Sequence, residues 1–147
     1  MIVVADTNIL FSACLTPDNR IFEILFSTSP KLQLISSYYA IEELRQHKAK
    51  LIRLSKHSEQ EIEILLMAVL KQIDFFGEDI IEKKYWIEAD NLTKGVDSKD
   101  ISFVALALKT NAMLWTGDKK LVNHLKTLNF ENIINTSELY ALLSIDN

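Results

Sequence analysis

Four acids stand where a folding chain could gather them: Asp6, Glu43, Asp100 and Asp118. Asp6 follows the apolar run Ile2-Val3-Val4-Ala5, and Asp118 follows the segment Leu114 to Thr116. Both are thus expected at the carboxyl ends of strands, the edge of an open parallel sheet where ligands bind. Glu43 and Asp100 are expected in the first turns of helices, Glu43 after a second strand and Asp100 after Asp97-Ser98. If these elements converge, four carboxylates face one cleft, and they repel one another and raise one another's pKa unless a cation neutralises them. A donor set without His or Cys suits a hard divalent ion, Mg²⁺ or Mn²⁺. Such an ion can hold a phosphate oxygen and sharpen a bound water, and a pair of ions can clamp an in-line displacement at phosphorus. Phosphodiester hydrolysis fits this inventory best.

Each acid also has a plainer use. Asp6 could close an Asx-turn. Asp97 suits a helix N-cap, with Asp100 as the reciprocal member of a capping box. Glu42 and Glu43 would complement a helix dipole, and Asp118 could cap the helix that follows it. Adjacent helical residues point about 100° apart, so only one of Glu42 and Glu43 is expected to reach the cleft. The functional reading rests on joint placement.

The elements that would do the placing follow from apolar patterning. Ile2 to Ala5, Leu32 to Ser36, Ala112 to Thr116 and Ile133-Ile134 read as short strands without alternation, suited to burial on both faces. A helix is expected through Ile21 to Phe26, capped by Asp18 or Asn19. One long helix is expected from Tyr38 to Lys56, with Leu44, His47, Leu51 and Leu54 as its inward stripe. Ser58 and Glu61 form a capping-box pattern opening a helix through Ile73, which Phe75, Phe76 and Gly77 end. Further helices are expected over Ile81 to Thr93, from Asp97 or Ser98 through Leu108, over Lys119 to Leu128, and after Thr136 or Ser137 as cap. Strands separated by helices predict a three-layer α/β chain around a parallel sheet, with right-handed crossovers.

A length of 147 residues with 48% apolar and 24% charged side chains predicts one domain with a core that needs no disulfide or structural metal. The single cysteine, Cys14, allows no internal bridge and no paired-cysteine zinc site, and reads as a small buried hydrophobe in a reducing cytosol. The start carries no basic signal region, and Ile101 to Leu108 is far too short to span a membrane, so a soluble cytoplasmic protein is expected. A net charge of −4 disfavours nonspecific nucleic-acid binding, although a local basic stripe can still meet phosphates. Between Glu43 and Glu59 there is no acid, while Arg45, Lys48, Lys50, Arg53 and Lys56 supply five positive charges. That run reads either as a solvated face or as a track for an RNA backbone, with Lys119 and Lys120 on the other rim. His47 reads as an interior histidine and Trp115 as core, while Tyr38 and Tyr39 could stack on bases.

Asp6-Thr7-Asn8-Ile9-Leu10, the acidic pair before Leu44, Val96-Asp97-Ser98-Lys99-Asp100 ahead of Phe103 to Leu108, and Thr116-Gly117-Asp118-Lys119-Lys120-Leu121 together resemble a PIN domain, in order and over nearly the whole chain. Within that family the motifs look like those of VapC-like proteins, toxin components of toxin–antitoxin systems. The resemblance implies a single PIN domain over residues 1–147, with a three-layer α/β/α Rossmann-like fold and a central parallel sheet of four to five strands. It implies a metal-dependent endoribonuclease using Mg²⁺ or Mn²⁺, an antitoxin whose tail blocks the cleft, and a homodimer. Carried over by position, the family's four acids fall on Asp6, Glu43, Asp100 and Asp118. Asn8 and Thr116 fall where polar side chains orient those carboxylates or a metal-bound water, and Asp97 matches an extra acid able to act from the outer sphere. Arg45, Lys48, Arg53 and Lys119 are the residues expected to meet RNA. Lys120 stands where many relatives carry a further acid, so one firmly bound ion is expected. Two alternatives stand beside the nuclease: a noncatalytic module binding RNA or a protein, and a response-regulator-like phosphoacceptor. Asp6 lacks the acidic neighbour that the latter requires.

Overall fold

In the computed structural model, which describes residues 1–16, 19–96 and 98–144, the strands are β1 Ile2–Ala5, β2 Gln33–Ser37, β3 Asp74–Phe76, β4 Met113–Trp115 and β5 Ile133–Ile134. They form one parallel sheet in the order β3-β2-β1-β4-β5. Val3, Val4, Ala5, Leu114 and Trp115 are fully buried, as strands covered on both faces must be. The chain order reverses between β1 and β4, where Ala5 pairs with Trp115. A crevice opens at the carboxyl ends of such neighbouring strands because their connections leave in opposite directions.

The helices among the described residues are α1 Thr7–Leu15, α2 Arg20–Leu25, α3 Tyr38–Gln46, α4 Lys48–Ser55, α5 Glu59–Leu70, α6 Lys83–Thr93, α7 Ile101–Thr110, α8 Lys119–Thr127 and α9 Thr136–Ser144. With the sheet they make the three-layer α/β/α arrangement. On one side α7 packs on β1, β2 and β4 and is itself covered by α6; on the other, α1 packs against α3, α4 and α5. No helix among the described residues is long and apolar enough to cross a membrane.

Several elements differ from the sequence expectation. The segment after β1 is helical at once, because Asp6 caps α1 by accepting from Ile9 N at 3.0 Å. The α1 residues Ile9, Leu10, Ala13 and Cys14 are all buried, so no polar face betrays this helix in the sequence. The long helix expected from Tyr38 breaks at His47 (φ −100°, ψ 12°) into α3 and α4. Leu44 and Leu51 are buried as the stripe predicts, whereas His47 and Leu54 are exposed, so the stripe holds at two of its four positions and His47 is not an interior histidine. Because α3 begins at Tyr38, Glu43 lies in its second turn, not the first. Phe75 and Phe76, expected to end a helix, instead belong to β3, too short an edge strand for periodicity to reveal. Asn135, rather than Thr136 or Ser137, caps α9 in a reciprocal bond pair with Glu138. Asn19 caps α2 through Phe22 N at 2.9 Å; Asp18, the other candidate cap, lies outside the described residues, as does Asp97. Ser58 and Glu61 close the capping box of α5 as the pattern predicts.

Candidate active site

Asp6 is the first residue beyond β1, and Thr116 the first beyond β4, so strand pairing sets them side by side. Asp6 N donates to Trp115 O at 3.3 Å. The Asp6 side chain is 3% exposed; Oδ1 caps α1, and Oδ2 is buried with no hydrogen bond. Burial pushes its pKa from an ordinary 3.8 up to about 6, and the negative charges of Asp118 and Glu43 add to the push. The Thr116 hydroxyl and the Ile9 N–H pull the other way. Thr116 is itself buried, and its Oγ1 accepts from Asp118 N at 3.1 Å, which places it between the two aspartates. Asp118 Oδ1 accepts from Lys120 N at 3.0 Å and Leu121 N at 3.1 Å, so this residue does cap α8 while its charge bears on Asp6.

Glu43 reaches the same region from α3. Ser37 caps that helix by accepting from Tyr39 N at 3.2 Å, and Ser102 of α7 donates to Ser37 Oγ at 2.7 Å within the core. The Thr7 hydroxyl donates to Glu43 Oε1 at 2.6 Å. Asp100 occupies the N-cap position of α7 without bonding the helix through its side chain, and its Oδ2 is buried.

Asp6, Glu43 and Asp100 line one cavity of about 190 Å³, with Thr7 and the exposed Asn8 beside them and Phe11, His47, Lys50, Lys99 and Phe103 completing the walls. Glu43, not Glu42, is the glutamate that enters it. Asp118 lies outside this lining but within electrostatic reach of Asp6. A larger hollow of about 600 Å³ between α2 and α9 gathers hydroxyls, Glu23 and Lys31 rather than a set of carboxylates, so volume alone does not locate the chemistry.

The basic residues divide. Lys50 lines the acidic cavity, its Nζ 6.0 Å from the Phe11 ring centroid. Lys48 instead pairs with Glu59, at 3.2 Å, and with Glu63 on α5. Arg45, Arg53 and Lys119 are exposed and outside the cavity lining. Sequence patterning gave no role to Thr7 or Ser102, and it gave His47, which lines the cavity, an interior one. Thr7 had a faint signal, as a hydroxyl residue directly after a strand-end aspartate. Ser102 sat unremarked in an apolar helix.

The donors at the cavity are hard oxygens, and a buried Asp6 oxygen with no hydrogen bond is the chemical complement of a cation. Among the described residues no three of His, Cys, Asp and Glu close into a ready-made cage. The type of these donors suits a hard cation, while their spacing does not by itself close a site around one.

A sequence profile of the PIN domain matches residues 4–136. No curated protein sequence matches the chain significantly. Among solved structures, the fold is similar to VapBC2 from Rickettsia felis bound to a DNA fragment from its promoter, with a TM-score of 0.65 and 18% identity over 92% of this chain and 97% of that one. It is similar also to VapBC-1 from nontypeable Haemophilus influenzae, with a TM-score of 0.66 and 18% identity over 93% and 99%. A third similar structure is PAE2754 from Pyrobaculum aerophilum, with a TM-score of 0.66 and 18% identity over 97% and 89%.

Proposed function

The chain belongs to the PIN domain family, and from that premise we propose that it is a metal-dependent endoribonuclease, the toxin component of a toxin–antitoxin system acting in the cytoplasm. The observation that carries the proposal is the buried Asp6 carboxylate, which keeps Oδ2 without a hydrogen bond beside a cavity that Glu43 and Asp100 also line. A fold tolerates such a group when a ligand completes it. Asp6, Glu43, Asp100 and Asp118 would hold Mg²⁺ or Mn²⁺, which supplies charge neutralisation at a phosphoryl oxygen and a nucleophilic water at neutral pH. With Lys120 exposed beyond Asp118, the acids provide for one firmly held ion.

The remaining residues position and select. Thr7 holds Glu43 in place, and Thr116 buttresses both Asp6 and Asp118. Lys50 and Lys99 offer positive charge to the phosphates on either side of the scissile bond, and Phe11 and Phe103 offer apolar faces to bases. An antitoxin is the proposed partner, in keeping with the paired VapBC assemblies that share the fold.

The test is incubation of the purified protein with RNA in Mg²⁺ or Mn²⁺ against EDTA, beside Asp6→Asn. Cleavage by the wild type that both the chelator and the substitution abolish supports the reading. RNA binding that weakens with salt, without cleavage in any metal, would replace it with a noncatalytic module.

A further inference from the structure

The carboxyl edge of the sheet carries a second feature, two strands away from Asp6. Tyr38 is the first residue beyond β2 and Gly77 the first beyond β3, and strand pairing sets Ser37 against Phe76 just before them. The Tyr38 ring stacks on Phe75, with centroids 6.1 Å apart and planes 28° from parallel, yet Tyr38 stays 55% exposed. A ligand that settles on a loose side chain must first immobilise it. Phe75, itself packed against the core, holds this ring in advance. Tyr39, the next residue, turns instead against Phe103 and the core.

Gly77 leaves a notch beside the ring. Its backbone, at φ −76° and ψ 158°, is open to any residue, so conformation does not call for glycine here. Space does: a Cβ at this position would collide with Asp79 Oδ1 and lie 3.9 Å from Tyr38 Cδ2. An aromatic ring and a carboxylate therefore flank a gap that a side chain would fill. Asp79 is exposed, as are Glu78 beside it and Glu42, one turn along α3 from Tyr38. Three acids turn phosphate away, so this face is no backbone track. An unpaired base suits both features, because its face stacks on an aromatic ring and its edge hydrogen-bonds to a side chain. A carboxylate only accepts, and guanine offers it two neighbouring donors, N1–H and N2–H, on one edge.

We propose that Tyr38, Gly77 and Asp79 form a guanine subsite, in which the base stacks on Tyr38 and donates from N1 and N2 to the Asp79 carboxylate. The inference deepens the ribonuclease reading and rests on its RNA-binding part. Two strand spacings, about 10 Å, separate the subsite from the end of β1, so it receives a base flanking the cleaved bond.

Fluorescence anisotropy in EDTA reads the subsite whether or not RNA is cut. The probes are short RNA oligomers that are abasic except for one central guanine, adenine or cytosine, beside a wholly abasic one. The wild type should bind the guanine oligomer roughly tenfold more tightly than the abasic one, with adenine and cytosine between. Tyr38→Ala should make all four equal and, because stacking releases no counterions, leave the salt dependence unchanged. Asp79→Asn should bring guanine level with adenine while both still exceed the abasic oligomer. Gly77→Val, which fills the notch, should weaken guanine most. Circular dichroism checks each fold, and Asp79→Asn carries the test if another variant misfolds. A base preference in a protein that cuts no RNA in any metal would sink the nuclease reading and keep the subsite. Equal binding of all four oligomers by the wild type, or a guanine preference undiminished in Tyr38→Ala, would overturn the subsite even where RNA is cut. Capture of an arginine hexapeptide that Tyr38→Ala abolishes, without any base preference, would overturn it too and assign the notch to a basic protein segment.

Discussion

The Thr7 hydroxyl and Glu43 Oε1 stand 2.6 Å apart, a bond that ties the first turn of α1 to the second turn of α3 across 36 residues of chain. Thr7 is in this position because Asp6 caps the helix it begins, so one motif both supplies a buried carboxylate and steadies another.

Thr7→Val, which keeps the shape and removes the hydroxyl, is expected to lower RNA cleavage 10- to 100-fold, the range typical of a lost partner to a metal-binding group. It should cost about 1 kcal/mol in stability. Thr7→Ser should recover most of the activity. Equal turnover in Thr7→Val and wild type would deny Thr7 a positioning role.

Asp6 predicts an inverse relation between stability and function. Its folded pKa of about 6 lies above the ordinary 3.8, so the fold holds the proton more tightly than the unfolded chain does. The stabilising form is therefore the neutral one. The metal-free protein should gain stability as pH falls through 6 towards 4, and carry the full penalty of the buried charge at pH 8. Asparagine caps helices as well as aspartate does, so Asp6→Asn keeps the bond to Ile9 N. The metal-free variant should exceed the wild type at pH 8 by about 1–3 kcal/mol and match it near pH 4. Mn²⁺ should stabilise the wild type and leave the variant unchanged. Urea unfolding at both pH values, with and without metal, checks this, and a less stable variant at pH 8 would refute it.

What the sequence made legible follows from how each signal arises. The flanking strand ends Asp6 and Asp118 could be placed because apolar runs without alternation announce buried parallel strands, whose carboxyl ends share an edge. Glu43 and Asp100 followed from the helices after them. The break at His47 was illegible, since it needs no proline or glycine and its backbone bonds to Glu43 O and from Leu51 N remain intact. That hidden bend moved His47 from the expected interior to the cavity wall. The basic run misled for a similar reason: residues that look alike in sequence, Lys48 and Lys50, point to different neighbours once α5 folds back with Glu59 and Glu63. Long-range partners of this kind leave no periodic trace.

That division is testable with two single substitutions. Lys50→Ala is expected to weaken RNA binding several-fold and to make it less sensitive to salt, because a phosphate contact at the cavity is lost. Lys48→Ala should leave RNA binding alone and lower the thermal midpoint slightly through the lost tie between α4 and α5. Fluorescence anisotropy with a labelled RNA in EDTA reads the first, and a thermal melt the second. Similar losses of binding in both variants would restore the uniform basic track.

The helices that bring Glu43 and Asp100 to one cavity are joined beneath it by the 2.7 Å bond from Ser102 to Ser37, the residue that caps α3. Both serines are buried, with Ser102 two positions past Asp100 on the chain, so the bond fixes the approach of α7 to the start of α3 where no water can substitute. Removing the Ser102 hydroxyl is expected to cost about 1–2 kcal/mol, the loss of a buried bond with one polar partner left behind. Ser37 still caps Tyr39 N, so α3 should persist and the fold remain intact by circular dichroism. What should change is the spacing of the two carboxylates, and with it affinity for a divalent ion. Calorimetric titration of Ser102→Ala with Mn²⁺ should show binding weakened roughly tenfold, within the range for residues that orient metal ligands from behind. If stability falls and Mn²⁺ affinity does not, the serine pair only holds the core together, and the geometry of the acids is set by their own elements alone.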